Sequence, residues 1–158
     1  MKKRYSHRID KSYWLSKPIS KTLQKSIITL LLLFSIGFAN GQTFVVDGLK
    51  YTVTTATEVS VNKDGTCPTG ALTIPSLVTD PNSSIEYTVR AIENNAFQDC
   101  SALTNITLPN SLTSIGNFAF FGCSGLNNLT LPNSITSIGI QAFRDCSALT
   151  NVTLPNSI

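Results

Sequence analysis

After residue 41 the sequence contains no histidine, no tryptophan and no methionine, because the single copies of these residues, His7, Trp14 and Met1, precede that point. Without an imidazole, the Ser-His-Asp and Cys-His mechanisms lack their general base, and the usual histidine-containing zinc sites lack a ligand. We therefore expect residues 42–158 to carry no catalytic residue, no metal site and no cofactor, and we expect the protein not to be an enzyme.

Basic residues are also scarce after residue 41. The full chain has a net charge of +3, but residues 42–158 keep four basic residues against eight acidic ones, which leaves a net charge of −4. Nucleic-acid and anionic-lipid surfaces are recognised through clustered Lys and Arg. This composition excludes a nucleic-acid partner and a polybasic membrane face.

The first 41 residues have the composition of a signal peptide. Eight of the twelve basic residues lie between Lys2 and Lys25, and a thirteen-residue apolar run follows from Ile27 to Ala39. Such a run suits a secretory core and is shorter than the roughly 20 residues that span a bilayer. We predict cleavage after Gly41, giving a secreted or cell-surface protein with no membrane insertion after cleavage. An uncleaved signal anchor is the alternative, whereas a lipid anchor lacks its cysteine.

The rest of the chain repeats itself with a period of 23 residues. An L-x-x-L-x-L core recurring every 20–29 residues is typical of a leucine-rich repeat solenoid, in which each coil hides its apolar side against the next. We predict coils at residues 92–114, 115–137 and 138–158, the last one incomplete. The aligned positions are Ile92, Ile115 and Ile138; Phe97, Phe120 and Phe143; Cys100, Cys123 and Cys146; Leu103, Leu126 and Leu149; Ile106, Leu129 and Val152; Leu108, Leu131 and Leu154.

Each coil has three recognisable parts. In "LTNVTLP" apolar and polar residues alternate, which predicts a short strand with Val152 and Leu154 inside, ended by Pro155. A second extended piece is expected around residues 135–139. The segment "IQAFRDC" has the spacing of one helical turn with its apolar side inward. The predicted fold is thus a β-rich solenoid with short helical or turn segments.

Residues 42–91 differ from the repeats and are predicted to form a β-rich N-terminal cap with an irregular first coil. Asp47-Gly48 and Asp64-Gly65 each lie between β-rich runs, which predicts two hairpins. "LTIP" at residues 72–75 imitates the "LTLP" of the repeats, and a third hairpin is expected in "DPNSSIEYTV" at residues 80–89. A solenoid needs such a cap over its open apolar end.

The segment "IGNFAFFGCSGLNNLTLPNSITS", residues 115–137, resembles the BspA-like class of leucine-rich repeats, and the resemblance extends over residues 92–158. It implies a curved solenoid that is secreted or displayed on host-associated cells. It also implies adhesion, with host matrix proteins or other cell-surface proteins as partners.

Four cysteines in a secreted chain suggest disulfides. However, Cys100, Cys123 and Cys146 share one repeat position, and parallel stacking holds their Cβ atoms farther apart than the roughly 3.8 Å that a bridge needs. We expect a structural ladder of buried, reduced thiols, with Cys67 undecided between a thiol and a bridge. A nucleophile lacks a base, and a linear ladder does not make a tetrahedral metal site.

The polar side of the repeated strand is the candidate ligand-binding surface. Three rungs about 4.8 Å apart give a patch of about 200 Å², whereas a stable interface needs roughly 800 Å² per partner. The surface is therefore either part of a larger site, a site that works through avidity, or a plain solvated strand face. Its members are Asn105, Thr107, Asn128, Thr130, Asn151 and Thr153.

The last coil is expected to leave Leu149, Val152 and Leu154 partly in water. This predicts either a chain that continues into more repeats or an open coil covered by another molecule, including self-association. Two functions stay open: a secreted or cell-surface adhesion module that is the N-terminal part of a longer protein, and a structural spacer that displays a C-terminal domain.

Overall fold

The computed structural model describes residues 41–158, which form eleven β-strands in two sheets and contain no helix. The predicted signal peptide, residues 1–41, falls almost wholly outside the described residues. The strands are β1 Thr43–Val46, β2 Leu49–Val53, β3 Glu58–Lys63, β4 Gly70–Thr73, β5 Leu77–Thr79, β6 Glu86–Ile92, β7 Leu103–Thr107, β8 Ser114–Ile115, β9 Asn128–Thr130, β10 Ser137–Ile138 and β11 Asn151–Thr153.

The smaller sheet has four parallel strands in the order β11-β9-β7-β4. Asn105 lies opposite Asn128, which lies opposite Asn151, so successive strands are offset by the 23-residue period. Alternation places Ile106 and Leu129 inside and the asparagines outside. The prediction of a β-rich chain with parallel strands offset by one period is confirmed.

The larger sheet has seven strands and mixes two directions. Strands β3, β6, β8 and β10 run parallel, and the register of Ser114 with Ser137 repeats the 23-residue offset. Strands β1 and β2 extend this sheet beyond β3 in antiparallel fashion, while β5 pairs antiparallel with the first half of β6. The second extended piece predicted around residues 135–139 is β10.

The segment predicted as one helical turn consists of tight turns instead. Two residues in each coil have positive φ, for example Asn95 at 57° and Asp99 at 58°, which no α-helix accommodates. The positive φ angles turn the backbone so that N–H groups point toward the next coil. Phe97 N–H donates to the Ala119 carbonyl at 2.7 Å, and Asp99 N–H donates to the Phe121 carbonyl at 2.7 Å. Hydrogen bonds between coils replace those that a helix would make within itself.

The N-terminal region contains two of the three predicted hairpins. Asp47 and Gly48, with φ of 51° and 75°, turn β1 into antiparallel β2, and residues 80–85 turn β5 into antiparallel β6. The hairpin predicted at Asp64-Gly65 is wrong, because β3 and β4 belong to different sheets. There the chain crosses from the seven-stranded sheet to the four-stranded one.

The core lies inside the coils and contains the aligned apolar columns. Phe97, Phe120 and Phe143 stack with centroid separations of 5.3 Å at both steps. The last coil is more open, since Val152 is 47% exposed and Leu154 is 66% exposed. The predicted exposure of these two side chains is confirmed, and Leu149 is half-buried.

Candidate binding face

The four-stranded sheet presents two columns of outward side chains, which we call the outer face. All six polar residues predicted from the repeats lie on it and are exposed. The first column is Ala71, Asn105, Asn128 and Asn151, and the second is Thr73, Thr107, Thr130 and Thr153.

The strands build this face because inward and outward residues alternate. In β7, Ile106 is 7% exposed while its neighbours Asn105 and Thr107 face solvent. Along the first column, Asn151 Nδ2 donates to Asn128 Oδ1 at 3.3 Å. The face offers amides and hydroxyls in register, groups that can donate and accept hydrogen bonds.

The outer face is also uncharged. None of the residues in β4, β7, β9 and β11 is ionisable. Contacts with this face therefore depend on hydrogen bonds and shape, and long-range electrostatic steering contributes little.

Sequence reasoning missed one rung of this face. Strand β4 pairs parallel with β7, which puts Ala71 beside Asn105 and Thr73 beside Thr107. The resemblance of "LTIP" to the repeated "LTLP" was the available signal, and the register confirms that equivalence. Four rungs cover about 250 Å², still well below the roughly 800 Å² that a stable interface needs per partner.

The sequence predicted three reduced thiols in the cysteine ladder, and this prediction is wrong for one of them. Cys100 forms a disulfide with Cys67, with their Cα atoms 5.1 Å apart. Within the column, where the coils stack in parallel, Cys123 and Cys146 are free. Cys67 lies outside the column and approaches Cys100 from the segment between β3 and β4. The bridge ties the N-terminal region to the first repeat.

The two free thiols donate hydrogen bonds to backbone carbonyls of the preceding coil. Cys123 Sγ donates to the Phe97 carbonyl and Cys146 Sγ to the Phe120 carbonyl, each at 3.1 Å. Burial raises the pKa of Cys123 to about 12, and it also raises that of Cys146. Both thiols stay protonated near neutral pH, so neither is a reactive thiolate.

A second polar cluster surrounds Glu93 at the end of β6. Its carboxylate accepts hydrogen bonds from Ser60 Oγ at 2.7 Å and Asn62 Nδ2 at 3.1 Å. Burial alone would raise the pKa of Glu93, but hydrogen bonds from the neighbouring strands and the charge of Lys50 outweigh it and hold the pKa below its ordinary value. Within residues 41–158 no group of His, Cys, Asp and Glu side chains is arranged to bind a metal ion. That same part of the chain has no helix with the length and apolar character needed to cross a membrane.

Comparison with known proteins gives the following relationships. The family model described as a BspA type leucine rich repeat region matches residues 81–158 with six copies. No curated protein sequence matches the chain. A solved leucine-rich repeat protein from Bacteroides capillosus is 23% identical, with 70% of this chain and 96% of that one covered and a TM-score of 0.49.

Two longer solved structures also align with the chain. The pneumococcal vaccine antigen PcpA is 20% identical, with 74% of this chain and 39% of that one covered and a TM-score of 0.49. A leucine rich cell surface protein from Faecalibacterium prausnitzii is 21% identical, with 74% and 44% covered and a TM-score of 0.42. The chain spans less than half the length of these two proteins.

Proposed function

Because residues 81–158 belong to the BspA-type leucine-rich repeats, we propose that the chain is a secreted or cell-surface module that binds other proteins through its outer face. The observation that carries this proposal is the register of β4, β7, β9 and β11. It aligns Asn and Thr side chains in two exposed columns with no charge among them.

The size of the outer face sets the expected mode of binding. A face of about 250 Å² supports only weak attachment of one molecule. Many copies on one surface, or more repeats on the same sheet, would raise the total strength through avidity. Adhesion to extracellular-matrix proteins or to other cells fits this regime, since both present many equivalent sites.

Secretion is the second part of the proposal and rests on residues 1–41. We infer that the mature protein begins at Gln42, after a leader with eight basic residues and a thirteen-residue apolar run. N-terminal sequencing of protein from its natural source tests this inference. A first residue at Gln42 supports it, and an intact Met1 contradicts it.

The binding test uses immobilised matrix proteins, for example fibronectin and laminin, and the purified protein in multivalent form. The double variant Asn128→Ala/Thr130→Ala removes the central rung of the outer face and is expected to weaken binding at least fivefold. The control Asn133→Ala/Thr136→Ala removes the same residue types from exposed positions of the same coil outside the four-stranded sheet. Equal binding by both variants would rule out the outer face.

The small area also favours a second candidate function, in which the repeats are a spacer that displays a further domain. A spacer binds none of the matrix proteins, and its role is to hold the further domain away from the surface. Deleting one 23-residue coil should then leave that domain displayed, whereas the same deletion removes one of the four rungs of an adhesive face and weakens binding.

A further inference from the structure

Strand β4 is an edge strand whose outer side is open. Gly70 N–H donates to the Ala102 carbonyl at 2.8 Å and Ile74 N–H donates to the Thr107 carbonyl at 3.0 Å, so these residues face β7. Successive backbone groups in a strand point to opposite sides, which leaves those of Ala71 and Thr73 pointing away from the sheet. Within residues 41–158 no other strand pairs with β4 on that side.

An apolar groove lies beside this open edge. Its volume is about 350 Å³, and its walls come from the β1–β2 hairpin on one side and from β4 and β5 on the other. Leu77 contributes to it and is 50% exposed, so its side chain is accessible beside the open edge. The other apolar side chains of the groove are Val46, Leu49, Tyr51, Leu72, Pro75 and Val78.

We propose that this edge and groove dock an extended peptide segment of a partner protein, which adds to the four-stranded sheet as a fifth strand. Unpaired N–H and C=O groups spaced along a strand are matched by the backbone of another strand. The site extends beyond the outer face and does not depend on binding there.

The geometry defines the sequence of the peptide. Every second side chain of an added strand enters the groove, where an apolar residue is required, and the others continue the columns of the outer face. Asp47 is the one charged residue among those lining the groove. We therefore expect alternating apolar and uncharged polar residues over four to six positions, with a basic residue at one flank.

The test begins with selection of phage-displayed eight-residue peptides on the purified full chain. Enriched peptides are synthesised, and their affinity for the protein is measured by fluorescence anisotropy. Ala71→Pro deletes one outward N–H and leaves the β7 ladder intact, since proline is tolerated at the open side of an edge strand. We expect it to weaken binding about tenfold, and Leu77→Lys to do the same by placing a charge in the groove.

Two matched controls accompany these variants. Asn133→Ala/Thr136→Ala alters exposed positions outside the four-stranded sheet, and Asn128→Ala/Thr130→Ala alters only the outer face. Both should leave affinity within about twofold. On the unchanged protein, N-methylation of the peptide at alternate residues should abolish binding for one parity only, which tests strand pairing even if Ala71→Pro fails to fold.

Four results would overturn the proposal. These are failure to enrich any peptide, binding by the Ala71→Pro and Leu77→Lys variants that is as tight as that of the unchanged protein, and insensitivity to N-methylation at both parities. The fourth is a dimer in analytical ultracentrifugation that Ala71→Pro dissociates, because it would assign the edge to a second copy of the chain.

Discussion

The side-chain oxygen of Asn94 accepts a hydrogen bond from the backbone N–H of Asn117, 23 residues later, at 2.8 Å. Asn117 repeats the contact with Ile140 N–H at the same distance. These bonds hold successive coils together at the corner after β6 and β8. Gly116 lies beside this contact, and a Cβ there would fall 2.6 Å from the Asn94 backbone nitrogen. The close approach of the two coils therefore requires glycine.

Gly116→Ala should lower the free energy of unfolding by about 1–3 kcal/mol, since the added methyl group forces two coil backbones apart. Urea denaturation followed by circular dichroism measures the change. Ser114→Ala, two residues earlier on a half-buried hydroxyl, is the control and should stay within about 0.5 kcal/mol of the unchanged protein. Equal stability of the two variants would show that the coils can separate without cost.

The Cys67–Cys100 bridge predicts how the four cysteines label. Alkylation of denatured, unreduced protein should modify Cys123 and Cys146 only, and prior reduction should allow all four to react. Intact mass spectrometry counts the added groups. Four modifications without reduction would restore the interpretation of reduced thiols.

The bridge also predicts a stability difference. Its residues are 33 positions apart, and closing a loop of that length stabilises the folded chain by about 3–4 kcal/mol. Cys67→Ser should lose about that much under oxidising conditions. In excess reductant the variant and the unchanged protein should unfold at similar urea concentrations, and a persistent gap would mean that Cys67 acts through packing instead.

Prediction from sequence succeeded where the period alone decides the structure. The columns at Phe97, Phe120 and Phe143 are core positions because the same side chain recurs at the same place in every coil. Prediction from sequence failed where backbone conformation decides the structure. Asn95 and Asp99 adopt positive φ, and no spacing of apolar residues distinguishes their turns from a helical turn. The bridge was missed because Cys67 lies in the segment that crosses from one sheet to the other. That segment is not part of the repeats, so the period does not predict its position.

The phenylalanine stack predicts a large loss on truncation of its middle member. Phe120 is fully buried between Phe97 and Phe143, so Phe120→Ala removes ring contacts on both faces and leaves a cavity. The expected loss in the free energy of unfolding is about 3–5 kcal/mol. Phe121→Ala, next in sequence but half-buried, should cost less than half as much. Similar losses in urea denaturation would mean that the stack adds nothing beyond ordinary burial.

Glu93 makes stability depend on pH in a defined direction. Its pKa is lower in the folded chain than its ordinary value, because hydrogen bonds and Lys50 outweigh the effect of burial. A carboxyl group with a lowered folded pKa stabilises the fold above its unfolded pKa of about 4.3, and this stabilisation is lost as pH falls through the folded value. Glu93→Gln should therefore be less stable at pH 7, by about 1 kcal/mol for a partly exposed carboxylate.

The same variant should converge with the unchanged protein in acid, because both then carry a neutral side chain facing Ser60 and Asn62. Urea midpoints measured from pH 7 down to pH 3 follow the convergence. Glu86→Gln, at an exposed carboxylate on the same strand, controls for the loss of one negative charge and should change stability by less than about 0.5 kcal/mol throughout. A stability difference between Glu93→Gln and the unchanged protein that stays constant with pH would show that the glutamine destabilises the fold through its shape and hydrogen bonding. In that case the charge of Glu93 would contribute nothing to holding β3 against β6.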